Sequence, residues 1–150
     1  MKQQITHAQG FNFEIKTNNG FNCTGNAIAT LPNNEYIVCG SSIVDGYKDI
    51  YVCKVNNAGD TLFTRSIGGS ADDEGYCIKP TVDSGYIIAG YTKSFGSGNA
   101  DFFLVKLLAN GTIDWTRTSG GTLADGSYSV MQTTDNGYLV VGFKQCRCRW

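Results

Sequence analysis

The densest group of side chains able to act on a ligand is Asp72-Asp73-Glu74, and Asp73 recurs as Asp125 in a second copy of the same stretch. Two carboxylates held roughly 5–10 Å apart can cleave a glycosidic bond. Carboxylates on flexible loops also bind calcium. Neither chemistry finds its companions here. No His or Lys constellation accompanies the pair, as acid–base work would demand. The spacing fits no standard calcium loop, so no metal and no cofactor is expected. A repeated Asp in a connecting loop is instead read as a cap whose carboxylate accepts backbone N–H bonds. The same reading covers Asp49 and Asp101.

Other reactive residue types lead no further. His7 is the single His, which makes no zinc site and serves no triad without a placed nucleophile and orienting group. Gly68-Gly69 and Gly120-Gly121 are not phosphate cradles, because no Gly-Lys-Ser/Thr follows and no helix is expected after them. These glycines are read as letting an outer strand cross into the next unit. Six cysteines invite a disulfide framework. Three of them line up with small core residues instead: Cys39 with Ala89 and Val141, Cys53 with Val105, and Cys77 with Ala27 and Ser129. Positions that accept Ala, Val or Ser are packing sites, where a thiol acts as a small hydrophobe. Cys146 and Cys148 form a C-x-C pair, too few ligands for zinc.

The elements that hold these residues follow from a repeat. Shifted by 52, residues 59–92 meet 111–144, and 12 of the 34 positions are identical, including Gly68/Gly120, Asp73/Asp125, Tyr76/Tyr128, Gly85/Gly137 and Gly90/Gly142. A weaker copy lies upstream, with Tyr36 and Gly40 standing 50 residues before Tyr86 and Gly90. Each unit reads as four short strands, A to D: YCIKPTV, GYIIAGY, DFFLVKL, TIDWTRT. Asp83-Ser84-Gly85 and Asp135-Asn136-Gly137 are turns that call for a positive φ, and Gly90 and Gly142 read as strand ends. A period near 50 residues with four strands per unit is the signature of propeller blades. The nearly continuous apolar runs GYIIAGY and DFFLVKL suit strands covered on both faces by neighbouring blades.

Composition agrees. The chain has 150 residues, 41% of them hydrophobic and 12% aromatic, with 19 Gly and 2 Pro. That is a globular chain of short strands and tight turns. A net charge of −1 without a basic block gives no support to nucleic-acid or membrane-surface binding. No run is long and apolar enough for a transmembrane helix.

These motifs resemble a group of bacterial and archaeal β-propeller repeats. The resemblance rests on Trp115-Thr-Arg117, Gly120-Gly121, Asp125, the D-x-G-Y turn and strand, the Ser94–Asp101 loop, Phe103-Leu104-Val105-Lys106-Leu107 and the Asn110-Gly111 turn. It implies four-stranded blades in a large secreted or surface protein of the Bacteroidetes type, and an extracellular or cell-surface setting.

The reading is therefore an all-β chain of propeller-type blades forming an incomplete ring of about 2.5 blades. Residues 1–10 are an N-terminal segment, 11–143 the repeats, with boundaries near 20, 70 and 122, and 144–150 a non-repeat tail. Residues 11–17 supply a lone D strand, and the chain closes on an A–B pair, so a truncated segment of a larger protein is expected. The expected role is a non-catalytic binding or structural module, not an enzyme. The D-to-A and B-to-C loops share one face, and loops on a rigid scaffold carry recognition. Asp45, Tyr47, Asp73, Phe95, Asn99 and Asp125 are the candidate contacts for a protein or glycan partner. Cut blade edges are expected to self-associate or to pair with the rest of a parent chain. The alternative is a propeller fragment that contributes to a lyase or glycosidase, with Asp73 and Asp125 as its carboxylates.

Overall fold

The computed structural model describes residues 23–145. The expected strand at 11–17, His7, Cys146 and Cys148 lie outside the described residues. Ten strands are described: β1 (Cys23–Thr30), β2 (Tyr36–Val44), β3 (Tyr47–Val55), β4 (Thr61–Ile67), β5 (Asp73–Pro80), β6 (Tyr86–Thr92), β7 (Asp101–Leu107), β8 (Ile113–Ser119), β9 (Asp125–Gln132) and β10 (Tyr138–Lys144). They form two four-stranded antiparallel meanders, β1–β4 and β5–β8, and a two-stranded sheet, β9–β10. This is the blade architecture that the repeat predicts, and the described strands close no ring.

Turn chemistry places the strand ends. In the β5–β6 hairpin, Asp83 Oδ1 accepts the Thr81 hydroxyl at 2.5 Å and the Gly85 N–H at 3.1 Å. Thr133, Asp135 and Gly137 repeat this in β9–β10. The positive φ falls on Ser84 (64°) and Asn136 (66°), not on the glycines. Gly85 is glycine for space, since a Cβ there would collide with the Leu107 carbonyl and Lys106 Nζ. In the β3–β4 turn Gly59 carries φ 84°, and Asn56 Oδ1 accepts N–H bonds from Ala58 and Asp60, both 2.9 Å.

Gly40, Gly90 and Gly142 are not strand ends. Each lies inside a B strand opposite a bulge in its A strand. A Cβ at Gly90 would strike the Glu74 carbonyl, and the same close approach recurs at Gly40 and Gly142. The bulges fall at Asn26, Tyr76 and Tyr128, and a bulge re-aims its side chain. Tyr76 packs on Tyr91 within its blade and on Tyr128 of the next, at 5.8 and 5.5 Å between ring centroids. Tyr128 meets Phe143 at 5.6 Å.

The blades stack through two cores. Ile37, Cys39, Ile50 and Val52 of the first blade meet Ile78, Ile88 and Phe103 of the second. Cys77, Ile87 and Ala89 of the second meet Val130, with Tyr138 and Val140 packed alongside. Strand β6 therefore points Ile88 one way and Ile87 the other, and both are 0% exposed. Coverage on both faces is the physical reason for its unbroken apolar run. Cys39, Cys53 and Cys77 are reduced and buried. Burial is the main influence that raises the Cys39 thiol far above its ordinary range.

Candidate functional site

Four connections gather at one rim: the Asp45-Gly46 turn between β2 and β3, residues 68–72 between β4 and β5, residues 93–100 between β6 and β7, and residues 120–124 between β8 and β9. They interlock. The Lys48 N–H donates to Asp72 Oδ1 and Lys93 Nζ donates to Asp72 Oδ2, both at 3.1 Å. The Lys93 N–H donates to the Asp72 carbonyl at 2.9 Å. The Ala71 N–H donates to Ser94 Oγ at 3.0 Å, and the Ser94 hydroxyl donates to Asp73 Oδ2 at 2.6 Å. Farther along, the Asp125 N–H donates to the Ala100 carbonyl at 2.8 Å. The loops form one surface held at several points, not separate flexible arms.

Beneath the rim lies a carboxylate network that sequence reading missed. Glu74, 8% exposed, accepts from Asn26 Nδ2 at 3.1 Å, Lys48 Nζ at 3.0 Å and the Tyr91 hydroxyl at 3.4 Å. It ties the first blade to the second. The donors come from β1, β3 and β6, and no sequence spacing joins those positions. The Lys48 N–H bond and the Lys93 ammonium hold the Asp72 carboxyl below its ordinary range. Burial foremost, then the Glu74 carboxylate, with smaller contributions from the Tyr76 hydroxyl and Asp72, raises the Tyr91 phenol above its ordinary range.

Asp73 and Asp125 do not lie on the surface. They are 0% and 1% exposed. Asp73 Oδ2 accepts the Gly69 N–H at 3.0 Å, and Asp125 Oδ2 accepts the Gly121 N–H at 2.9 Å. Each therefore caps the loop that leads into its own strand, which draws it inward. Each also faces a carboxylate across a blade boundary. A Cβ on Gly68 would collide with Asp49 Oδ1 and lie 2.8 Å from Asp73 Oδ2. A Cβ on Gly120 would collide with Asp101 Oδ1 and lie 2.9 Å from Asp125 Oδ2. The first glycine of each Gly-Gly pair leaves room for two acids. Thus Asp49 stands beside Asp73, and Asp101 beside Asp125. Burial foremost, and then the charges of Asp73 and Asp45, raise the Asp49 carboxyl, while the Ser66 hydroxyl bond at 2.9 Å works the other way. Asp73 Oδ1 and Asp101 Oδ1 are buried without a hydrogen-bond donor.

The four remaining candidates stand at the rim's surface. Asp45 sits at the turn tip with φ 49° and is exposed. Tyr47 is 47% exposed and Phe95 44%. Asn99 is exposed in the 93–100 loop. Phe95 is fixed from below by Phe103, 5.6 Å between centroids. Among the described residues no group of three His, Cys, Asp or Glu side chains is placed to hold a metal ion, and no helix is long and apolar enough to cross a membrane.

A family profile described as a domain of unknown function (DUF5122) beta-propeller matches residues 85–116, which run from β6 through β8. A curated relative, "Regulatory protein FlaEY" of Caulobacter vibrioides, is 26% identical over 112 residues. That stretch is 66% of this chain and 12% of the relative, so the chain spans a small part of that protein's length. Blade geometry and these likenesses agree that the chain is made of β-propeller repeats.

Proposed function

We propose that this chain is a non-catalytic binding module of a larger secreted or cell-surface protein, and that it engages a protein or glycan partner through its loop rim. One observation carries the reading. Tyr47, the first residue of β3, and Phe95, on the 93–100 loop, are large rings left about half exposed at a rim that Asp72 and Ser94 tie down. A ring on a rigid loop offers large contact area at low entropic cost. Asp45 and Asn99 supply exposed hydrogen-bonding groups on the same rim. The buried carboxylates hold the loops in place and do not meet the partner.

The test changes Asp45, Tyr47, Phe95 and Asn99 together to Ala and compares the variant with wild type on glycan arrays and against secreted proteins of the source organism. Far-UV circular dichroism confirms the fold. Partners bound by wild type and lost by the variant support the reading. Equal binding by both proteins removes the rim from consideration.

A further inference from the structure

Asp49, from β3 of the first blade, and Asp73, from β5 of the second, set two carboxylates side by side at the blade boundary. Gly68 marks how close they come, since a Cβ there would collide with Asp49 Oδ1 and lie 2.8 Å from Asp73 Oδ2. Asp73 is 0% exposed, and among the described residues its Oδ1 is buried without a hydrogen-bond donor. Buried charges are ordinarily paired or bound to a metal, because an unmatched carboxylate oxygen away from water costs free energy.

The neighbouring ammonium groups are held elsewhere. Lys48 Nζ stands 3.0 Å from Glu74 Oε2, and Lys93 Nζ 3.1 Å from Asp72 Oδ2. The carboxylates of Asp45, Asp49, Asp72, Asp73 and Glu74 therefore outnumber the ammoniums of Lys48 and Lys93 at this corner of the rim. Excess negative charge around an unmatched oxygen suits a cation.

The other groups on these carboxylates are of the right kind. The Ser66 hydroxyl donates to Asp49 Oδ2 at 2.9 Å, and the Ser94 hydroxyl to Asp73 Oδ2 at 2.6 Å. Ser94 Oγ also lies 3.0 Å from the Ala71 carbonyl oxygen. A hydroxyl can turn its proton aside and offer a lone pair, and all of these are hard oxygen ligands. Calcium accepts an irregular oxygen set and completes it with water, whereas magnesium demands a near-ideal octahedron. The second pair differs, although Asp101 Oδ1 too is buried without a donor. Asp101 and Asp125 accept from the N–H groups of Ser97, Gly121 and Gln145, which cannot ligate a cation.

From these contacts we infer that Asp49 and Asp73 form a calcium site that ties the first blade to the second beneath the rim. The two carboxylates are its charged ligands, and the Ser66 and Ser94 hydroxyls and water fill the remaining positions. Asp72 and Glu74 take no part, because the lysines hold them. Two carboxylates are few for calcium, so the expected affinity is that of weak extracellular modules, about 10⁻⁴–10⁻³ M. The site does not depend on what the rim binds.

The test uses the 150-residue chain, stripped of metal by a chelator, with calcium chloride as the probe. Isothermal titration calorimetry reads the affinity, and thermal melts at rising calcium read the stability. Saturable binding in that range is expected, with a melting temperature that climbs with the logarithm of calcium above it and responds little to magnesium. Asp49→Asn keeps the side chain's size and an oxygen for Ser66, and should weaken calcium at least about tenfold because one of two ligand charges is gone. Asp101→Asn, at the other boundary, should leave the affinity unchanged. Circular dichroism confirms that both variants fold. In the wild-type chain, hydrogen–deuterium exchange at the Gly69 amide, which donates to Asp73, should slow with calcium, while exchange at the Gly121 amide, which donates to Asp125, should not. That readout places the ion without any substitution. Three results overturn the inference: no saturable calcium binding; equal weakening by both substitutions, which is diffuse attraction to acids; or a wild-type chain indifferent to calcium that Asp49→Asn stabilises, which assigns the pair a shared proton.

Discussion

Ile87 and Ile88 offer a test of stacked blades, because the two neighbours serve different interfaces. Ile88 belongs to the core between the first and second blades, Ile87 to the core between the second blade and β9–β10, and both are 0% exposed. Truncating a fully buried Ile to Ala costs about 2–5 kcal/mol, from lost transfer energy and the cavity left behind. A value near 3 kcal/mol is expected for each, since both sites are walled by strands that cannot collapse inward. For a chain of this size that lowers the melting temperature by about 6–12 °C. Leu139, the counterpart of Ile87 in the last hairpin, is 55% exposed. Its truncation to Ala is expected to cost less than about 1 kcal/mol, as surface changes usually do. Denaturant titrations of the three variants, read by circular dichroism and by Trp115 fluorescence, give the comparison. Cooperativity can break down along stacked repeats, so the midpoints of separate probes are compared before any free energy is extracted. A one-sided sheet would bury only one of the two isoleucines. A negligible cost at either Ile87 or Ile88, or a cost at Leu139 equal to that at Ile87, would refute the stacking.

Three further outcomes follow from particular contacts. Asp101→Asn keeps an oxygen for the Ser97 N–H, now 2.7 Å from Oδ2, and turns an amide toward Asp125 in place of a second acid; thermal melts should show stabilisation of about 1 kcal/mol, and a loss of that size would contradict the acid–acid reading. Asp83 holds the buried Lys106 ammonium at 2.8 Å, and that bond, with those from Thr81 and Gly85, keeps its carboxyl well below the ordinary range. A carboxyl depressed in the fold adds stability that is present above its unfolded value, about 4, and lost as pH falls through the folded one, so Asp83→Asn should destabilise at neutral pH and flatten the acid limb of the stability profile. Cys39 is 0% exposed with its thiol raised by burial, so mass spectrometry should find it unmodified by iodoacetamide until denaturant is added.

Strands β6 and β7 were legible because coverage on both faces leaves its mark on composition, and GYIIAGY and DFFLVKL show it. The A–B turns were legible from Asp-Ser-Gly and Asp-Asn-Gly, although the positive φ sits one residue earlier than glycine chemistry suggests, on Ser84 and Asn136. Gly90 was misread as a strand end because a bulge is a property of two strands. Only the register of β5 on β6 shows that the glycine faces the Glu74 carbonyl. Asp73 and Asp125 are expected at the loop face because loops on a rigid scaffold carry recognition, while the cap reading of the same residues is the one their backbone bonds match. Their inward turn depends on the Gly69 and Gly121 amides, which a one-dimensional pattern does not orient. Glu74 is visible in the sequence only as one of three clustered acids, since its partners Asn26, Lys48 and Tyr91 come from three strands. Tyr47, Phe95, Asp45 and Asn99 are exposed at the rim, Tyr47 as the first residue of β3 and not in a loop.

Strands β6 and β10 hold the same place in their units and differ in what surrounds them, so hydrogen–deuterium exchange of their amides is the most direct test of the blade stack. Paired on both sides, β6 should have every amide protected to nearly the global stability. In the monomeric chain, alternate amides of β10 should exchange faster, because among the described residues β10 pairs with β9. Uniform protection of β10 equal to that of β6, in a chain shown to be monomeric, would contradict the account.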